Sequence, residues 1–319
     1  MSERGLTYFV ELAEQPLTRL FARPGLVDQL ARHQAAVSLA MLDLCAARAD
    51  LIRLLNRRGV PVTAWLLLEE SEGYWLTADN AVRARQRYIE LRDWAAAEGL
   101  ALEAVGLDIE TPHEDSLALV RNSREALRRL MRRRRSPEAL EQAAREYADL
   151  IDEIHHDGLR VETYQFPLVL DERRARSTFL QRVLGFVDMA PDREVVMLYR
   201  SLLPGPVGEA LVDAYGLEAQ AIGVGITGGG VEFVLEALGA RRLDLDRLVL
   251  DLRRARRYTD QLYVFSLEGC VEGGYLDALC HADLLQPIRP ALLGKPLRAA
   301  RAVLRLLLRA EAVWDRILD

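Results

Sequence analysis

Val105-Gly-Leu-Asp-Ile-Glu110 alternates apolar residues with acids. A strand repeats every two residues, so Gly106, Asp108 and Glu110 face one way while Leu107 and Ile109 face the other. Two acids on one face of an apolar strand are costly to bury unless counter-charges or hydrogen bonds satisfy them, and stability alone rarely selects such a pair. The stretch therefore reads as a buried strand ending in working residues. The plainer alternative is a strand end whose acids reach solvent or cap the next helix.

Outward from this strand, short apolar runs alternate with longer amphipathic ones, the rhythm of parallel βα units. Candidate strands fall at 7–12, 36–43, 60–68, 102–110, 160–168, 194–200, 219–227 and 261–268. The segments between them carry helical spacing. In 80–98, Ala81, Ala84, Tyr88, Leu91 and Ala95 recur three or four apart, with Thr77, Asp79 and Asn80 as caps and Gly99 as a stop. This count predicts an α/β fold, a closed (β/α)8 TIM barrel spanning 1–319 as one domain. Segment 114–158 is long enough for two helices broken at Ser136-Pro137, 185–190 competes as a strand, and 297–318 is expected to close the barrel as its eighth helix.

Barrels of this kind carry their chemistry at the carboxyl ends of the strands. That rule selects Glu11, Asp43, Glu69, Glu70, Asp108, Glu110 and Glu268, a rim of acids. On the eighth strand the smaller set, Val264, Ser266 and Glu268, is assigned to the interior, and the bulkier Tyr263, Phe265 and Leu267 to the helix layer. Glu268 then points inward across from Glu110. Two such groups can flank a scissile bond, one protonated as acid and the other ionised as nucleophile or base. Like charge raises a pKa, so Asp108 beside Glu110 favours Glu110 as the acid. Tyr74 and Trp75 offer faces on which sugar rings stack, with Glu69 and Glu11 as hydroxyl-binding acids. Tyr164 or Gln165 on the fifth strand and Tyr199 on the sixth complete the expected substrate-binding set. Gly228-Gly-Gly230 reads as a flexible turn rather than a phosphate cradle, because no Lys, Ser or Thr follows it.

Half the residues are hydrophobic, 28% are charged and the formal net charge is −6, which gives no electrostatic reason to expect nucleic acid. The basic run Arg128–Arg135 reads as a solvated helix face paired with Glu138, Glu141 and Glu146. Three cysteines without CxxC spacing indicate neither a disulfide framework nor a zinc site. The first residues lack the pattern of a signal peptide and no apolar run is long enough to span a membrane, so the expected compartment is the cytoplasm. Lys295 is the only lysine and lies past the eighth strand, which disfavours Schiff-base and pyridoxal chemistry. Of five histidines, only His113 falls near a strand's carboxyl end. No G-x-S-x-G elbow is present.

Ala104-Val-Gly-Leu-Asp108-Ile-Glu110 resembles the fourth-strand signature of glycoside hydrolase barrels of the chitinase-like family, D-x-x-D-x-D-x-E, of which it keeps the final D-x-E. Met197-Leu-Tyr199-Arg200 is similar to that family's M-x-Y-D, with arginine in place of the aspartate. The resemblance implies that Glu110 protonates the glycosidic oxygen, Asp108 supports it and Tyr199 holds a substrate acyl group. The chain is also similar to bacterial proteins of unassigned reaction that share its W-L-L-L, G-Y-W and G-L-D-I-E stretches, which implies a barrel and no particular chemistry. The resulting expectation is a glycoside-hydrolase-like enzyme with an oligosaccharide or small-molecule substrate, no cofactor and no resident metal. Its catalytic groups are Glu110, Asp108 and Glu268, with oligomeric state left open. The alternatives are a non-catalytic carbohydrate-binding or scaffold barrel, and a metal-dependent lyase or isomerase using Asp108, Glu110 and Glu268 as ligands.

Overall fold

The computed structural model describes residues 5–112, 115–116, 118, 123–203, 205–229, 235–236 and 241–318. Its eight strands are β1 (Thr7–Val10), β2 (Ala36–Ala40), β3 (Val62–Leu66), β4 (Ala104–Ile109), β5 (Arg160–Gln165), β6 (Arg193–Met197), β7 (Ala221–Gly225) and β8 (Leu262–Phe265). All neighbours are parallel and consecutive, and β1 pairs with β8 to close a (β/α)8 barrel. Each strand lies within one residue of its expected start or inside it, and stops short of its expected end. The residues beyond the strand ends become the rim.

The period-two pattern divides the core in two. Val37, Leu39, Val105, Leu107, Ile222 and Val224 pack outward against the helices, while Phe9, Trp65, Tyr164, Val195, Tyr263 and Phe265 fill the barrel. Phe9 is the hub, with ring centroids 4.8 Å from Tyr164, 5.4 Å from Trp65 and 5.6 Å from Tyr263. Gly106 is required by this filling, since a Cβ there would lie 2.4 Å from the Tyr164 hydroxyl. On β8 the expected parity is reversed: Tyr263 and Phe265 point inward and Val264 outward. A wide barrel holds large aromatics in its centre, so bulk was a poor guide to side.

The segment 114–158 contains the helices Ser123–Arg132 and Pro137–His156, and Ser136 caps the second by accepting the amide of Ala139 at 3.2 Å. Residues 185–190 form no strand. The basic run is exposed on its helix face, but Arg129 pairs with Asp115 and Arg135 with Asp79 rather than with the expected glutamates. Glu141 instead pairs with Arg145.

The long helix Gly294–Leu318 does not occupy the eighth helix position. It packs on the helices Leu168–Ala175 and Gly205–Tyr215, which follow β5 and β6. Arg301 and Arg305 draw it there, reaching the fully buried Asp171 at 2.9 and 2.7 Å. The Arg301 guanidinium also lies 3.6 Å from the centre of the Tyr215 ring. The short helices Leu267–Glu272 and Leu276–His281 follow β8 instead. No described helix is long and apolar enough to cross a membrane.

Candidate active site

The loop after β3 builds one wall of the barrel mouth. Leu76 adds to the end of β4, its amide donating to the Asp108 carbonyl at 2.9 Å and its carbonyl accepting from the Glu110 amide at 3.1 Å. The Asn80 side chain ties the loop together, its amide group donating to the Trp75 carbonyl at 2.9 Å and its oxygen accepting from the Thr77 amide at 2.8 Å. This anchoring turns Tyr74 and Trp75 over the mouth with ring centroids 5.8 Å apart. Trp75 is buried in the barrel filling, whereas Tyr74 is half-buried and its hydroxyl donates to Glu11 Oε1. They roof the site, and neither is an open stacking platform.

Glu11 sits one residue beyond β1, and its amide donates to Glu268 Oε1 at 3.3 Å. Glu268 belongs to the first turn of the helix Leu267–Glu272, where strand parity no longer applies. Ser266 caps that helix, accepting the Gly269 amide at 3.3 Å and donating to the Gly228 carbonyl at 2.9 Å. Gly229, at φ 106°, passes so close that a Cβ would meet Glu268 Oε1 at 2.6 Å. Its neighbours make this glycine turn a packing device for β8; Gly230 lies outside the described residues, as does His113. A cavity of about 470 Å³ opens here, lined by Glu11, Glu268 and Gly229 together with Arg19, Arg23 and Glu272.

Asp108 and Glu110 face this pair from β4. Asp108 is buried beside the Trp65 indole, while Glu110 is half-buried and reaches the mouth. Every one of these four acids is harder to ionise than usual. Burial pushes Glu11 up to about 7 against the Tyr74 hydrogen bond, and pushes Glu268 up to about 8. Asp108 is raised by burial and then by the charge of Glu11, with Trp65 opposing. Glu110 is raised by burial, then by Asp108, then by Glu11. The carboxylate that acts on Glu110 from across the mouth is therefore Glu11, and Glu268 stands behind it. Tyr199 lies in the field of Asp108, Glu110 and Glu11, its hydroxyl pushed up by burial first.

The remaining expected residues scatter. Tyr164 lies deep in the barrel, bonded to Ser38 at 2.6 Å. Gln165 points to the helix side, donating to Thr163 at 3.3 Å. Glu69 is exposed, and its carbonyl accepts the amides of Glu72 and Tyr74. Asp43 accepts Arg48 at 3.0 and 2.9 Å and serves the fold. Arg200 turns away to Asp251 and Glu209. Trp65 was not among the expected residues, and Glu11, expected as a hydroxyl-binding acid, is also the group whose charge acts on Asp108 and Glu110. The parity of Thr7, Phe9 and Glu11 on β1 carried that signal.

Solved barrels of similar fold include glycoside hydrolases. The glycoside hydrolase domain of PgaB (BpsB) from Bordetella bronchiseptica is 12% identical, with a TM-score of 0.50 over 89% of this chain and 99% of that one. A chitinase from Chromobacterium violaceum is 13% identical, with a TM-score of 0.48 over 89% and 100%. A xylose isomerase domain protein from Planctomyces limnophilus is 12% identical, with a TM-score of 0.47 over 94% and 99%. Likeness at these identities is likeness of fold. No protein-family model and no curated protein matches the sequence.

Proposed function

We propose that this barrel acts on a carbohydrate, cleaving or rearranging a glycosidic bond with Glu110 as general acid and base. The observation that carries the reading is Glu110 itself, half-buried at the mouth and made harder to ionise by burial, Asp108 and Glu11. A carboxylic acid whose ionisation is disfavoured is suited to donate its proton to a leaving oxygen, and its conjugate base can later take one back. Asp108 tunes it, and Tyr199, whose hydroxyl feels the charges of Asp108, Glu110 and Glu11, bonds a substrate group. The role of nucleophile or second base, expected for Glu268, falls more naturally to Glu11 or Asp108, because these two, and not Glu268, are the carboxylates whose charge raises Glu110. The PgaB domain, a glycoside hydrolase built on a barrel of similar fold, agrees with this reading at the level of fold.

The test is turnover of a panel of oligosaccharides by wild type and Glu110→Gln. Loss of turnover in a variant that still folds and binds supports the assignment, and full activity in Glu110→Gln overturns it. Binding without turnover by the wild type would instead identify a carbohydrate-binding barrel.

A further inference from the structure

We propose that the outer face of the helix Gly294–Leu318 docks this barrel on the surface of a bilayer rich in anionic lipid. An ordinary surface helix buries its apolar stripe and exposes its charges. This one does much of the opposite. Beside the buried Leu308, its inward face carries Arg301, only 4% exposed, and Arg305, both bonded to the buried Asp171. Its outward face carries Val303, Leu306, Leu307, Val313 and Trp314, each between 54% and 64% exposed.

Those five residues fall at helical spacing, so they form one stripe along about three turns. Ala310, also exposed, fills the gap between Leu307 and Val313. Single apolar residues on a surface need no explanation, but a continuous stripe of large ones marks a place where something docks. The fold does not require the stripe, because the helix is already held from its other side by Arg301 and Arg305.

The edge of the stripe identifies its partner by charge. Arg309 lies beside Leu306 and Val313 by helical spacing, and with Val313 it lines a cleft of about 550 Å³ whose other wall is Arg173, Arg174 and Arg176. Arg173 is met by Asp188 and Glu194. Arg174 reaches Glu218 only at 3.4 Å, and that carboxylate already takes Arg301 and Arg305 at 2.8 Å. Arg309 donates to the Arg174 carbonyl at 3.1 Å and meets no acid among the described residues, and the exposed Arg176 side chain has no hydrogen bond or ion pair with any of them. The acids of the helix itself, Glu311 and Asp315, are engaged by Ser177 and Arg182. Arginine is therefore in excess along the edge of an exposed apolar stripe that carries a tryptophan, the combination by which a helix lies in an anionic bilayer surface. A second copy of this chain would match the stripe but bring the same arginines to its edge.

Flotation of the protein with phosphatidylcholine vesicles, with and without phosphatidylglycerol, tests this. Partitioning onto the anionic vesicles is expected to be at least about tenfold stronger than onto the neutral ones, and to weaken as salt is raised. Leu307→Glu, at an exposed position, is expected to lower binding to the anionic vesicles by about tenfold or more while urea unfolding stays that of the wild type. Arg174→Gln combined with Arg176→Gln should remove most of the preference for anionic over neutral vesicles, again by about tenfold. Absence of wild-type binding to the anionic vesicles, or equal binding to both kinds, overturns the inference without needing any variant. So does binding that survives Leu306→Glu and Leu307→Glu together. A wild-type dimer in analytical ultracentrifugation that Leu307→Glu dissociates would assign the stripe to a second copy of the chain and overturn the bilayer.

Discussion

The two ends of this barrel treat buried acids in opposite ways. At the amino-terminal end Glu162 is met by Arg193 at 2.7 Å and by the Tyr263 hydroxyl at 2.9 Å, with Tyr164 and Ser38 extending the network. At the carboxyl end, three of Glu11, Asp108, Glu110 and Glu268 (all but Glu110) keep a buried oxygen without a partner, and Arg19 and Arg23 line the same cavity as Glu11 and Glu268 without hydrogen bonding to their free oxygens. One end is finished and the other is waiting for something. A closed network needs nothing from outside, whereas unmet charge either shifts pKa or recruits a ligand.

The largest effect that would break this contrast is kinetic. Glu110→Gln should lower turnover by about 10²- to 10⁴-fold, the range for loss of a general acid. The finished end should respond through stability instead. Arg193→Ala strands the buried Glu162 and is expected to cost about 3–5 kcal/mol in denaturant unfolding. Glu268→Gln removes an unmatched acid and should leave stability unchanged or raised. Equal destabilisation by the two variants would erase the distinction between the ends.

A subtler expectation concerns pH. Glu11 and Glu268 rise from 4.5 to about 7 and about 8 in the folded protein. Below 4.5 both folded and unfolded chains hold these protons, and the contribution to stability is fully present. Above it the unfolded chain releases them first, so stability falls by about 1.4 kcal/mol per pH unit for each group until its folded pKa is passed. Urea unfolding of wild type and Glu268→Gln between about pH 5 and pH 9 should therefore show the variant gaining on the wild type as pH rises. Parallel curves would show that Glu268 is not held neutral. The smallest expected effect is that of Tyr74→Phe, about 1 kcal/mol for one lost hydrogen bond. Because that bond favours ionised Glu11, its loss should move the Glu11 titration upward, a shift readable by carboxyl NMR.

The strand rhythm was legible because each βα unit buries one apolar run and one amphipathic face, a local pattern. The Asp108 and Glu110 pair was legible for the same reason: period two puts both on the Gly106 side. What misled was any step that left the strand. Parity was extended from Val264 and Ser266 to Glu268 across a helix start, and side-chain bulk was used to choose the face of β8. Tyr263 and Phe265 lie inside because Phe9 and Trp65, far away in sequence, leave room for them. The final helix read as the eighth because it is the last; Asp171, well over a hundred residues earlier, decides its place through Arg301 and Arg305.

The order of residues alone determined the barrel and the rim on which its acids would gather, since period, capping and strand ends are properties of neighbouring residues. Only the tertiary structure decided which acids share a site. Closing β1 against β8 brings Glu11 to Glu268, 257 positions apart, and sets both against the acids of β4. That no counter-charge pairs with either among the described residues is likewise a fact of packing, because a chain with this many arginines could have placed one there.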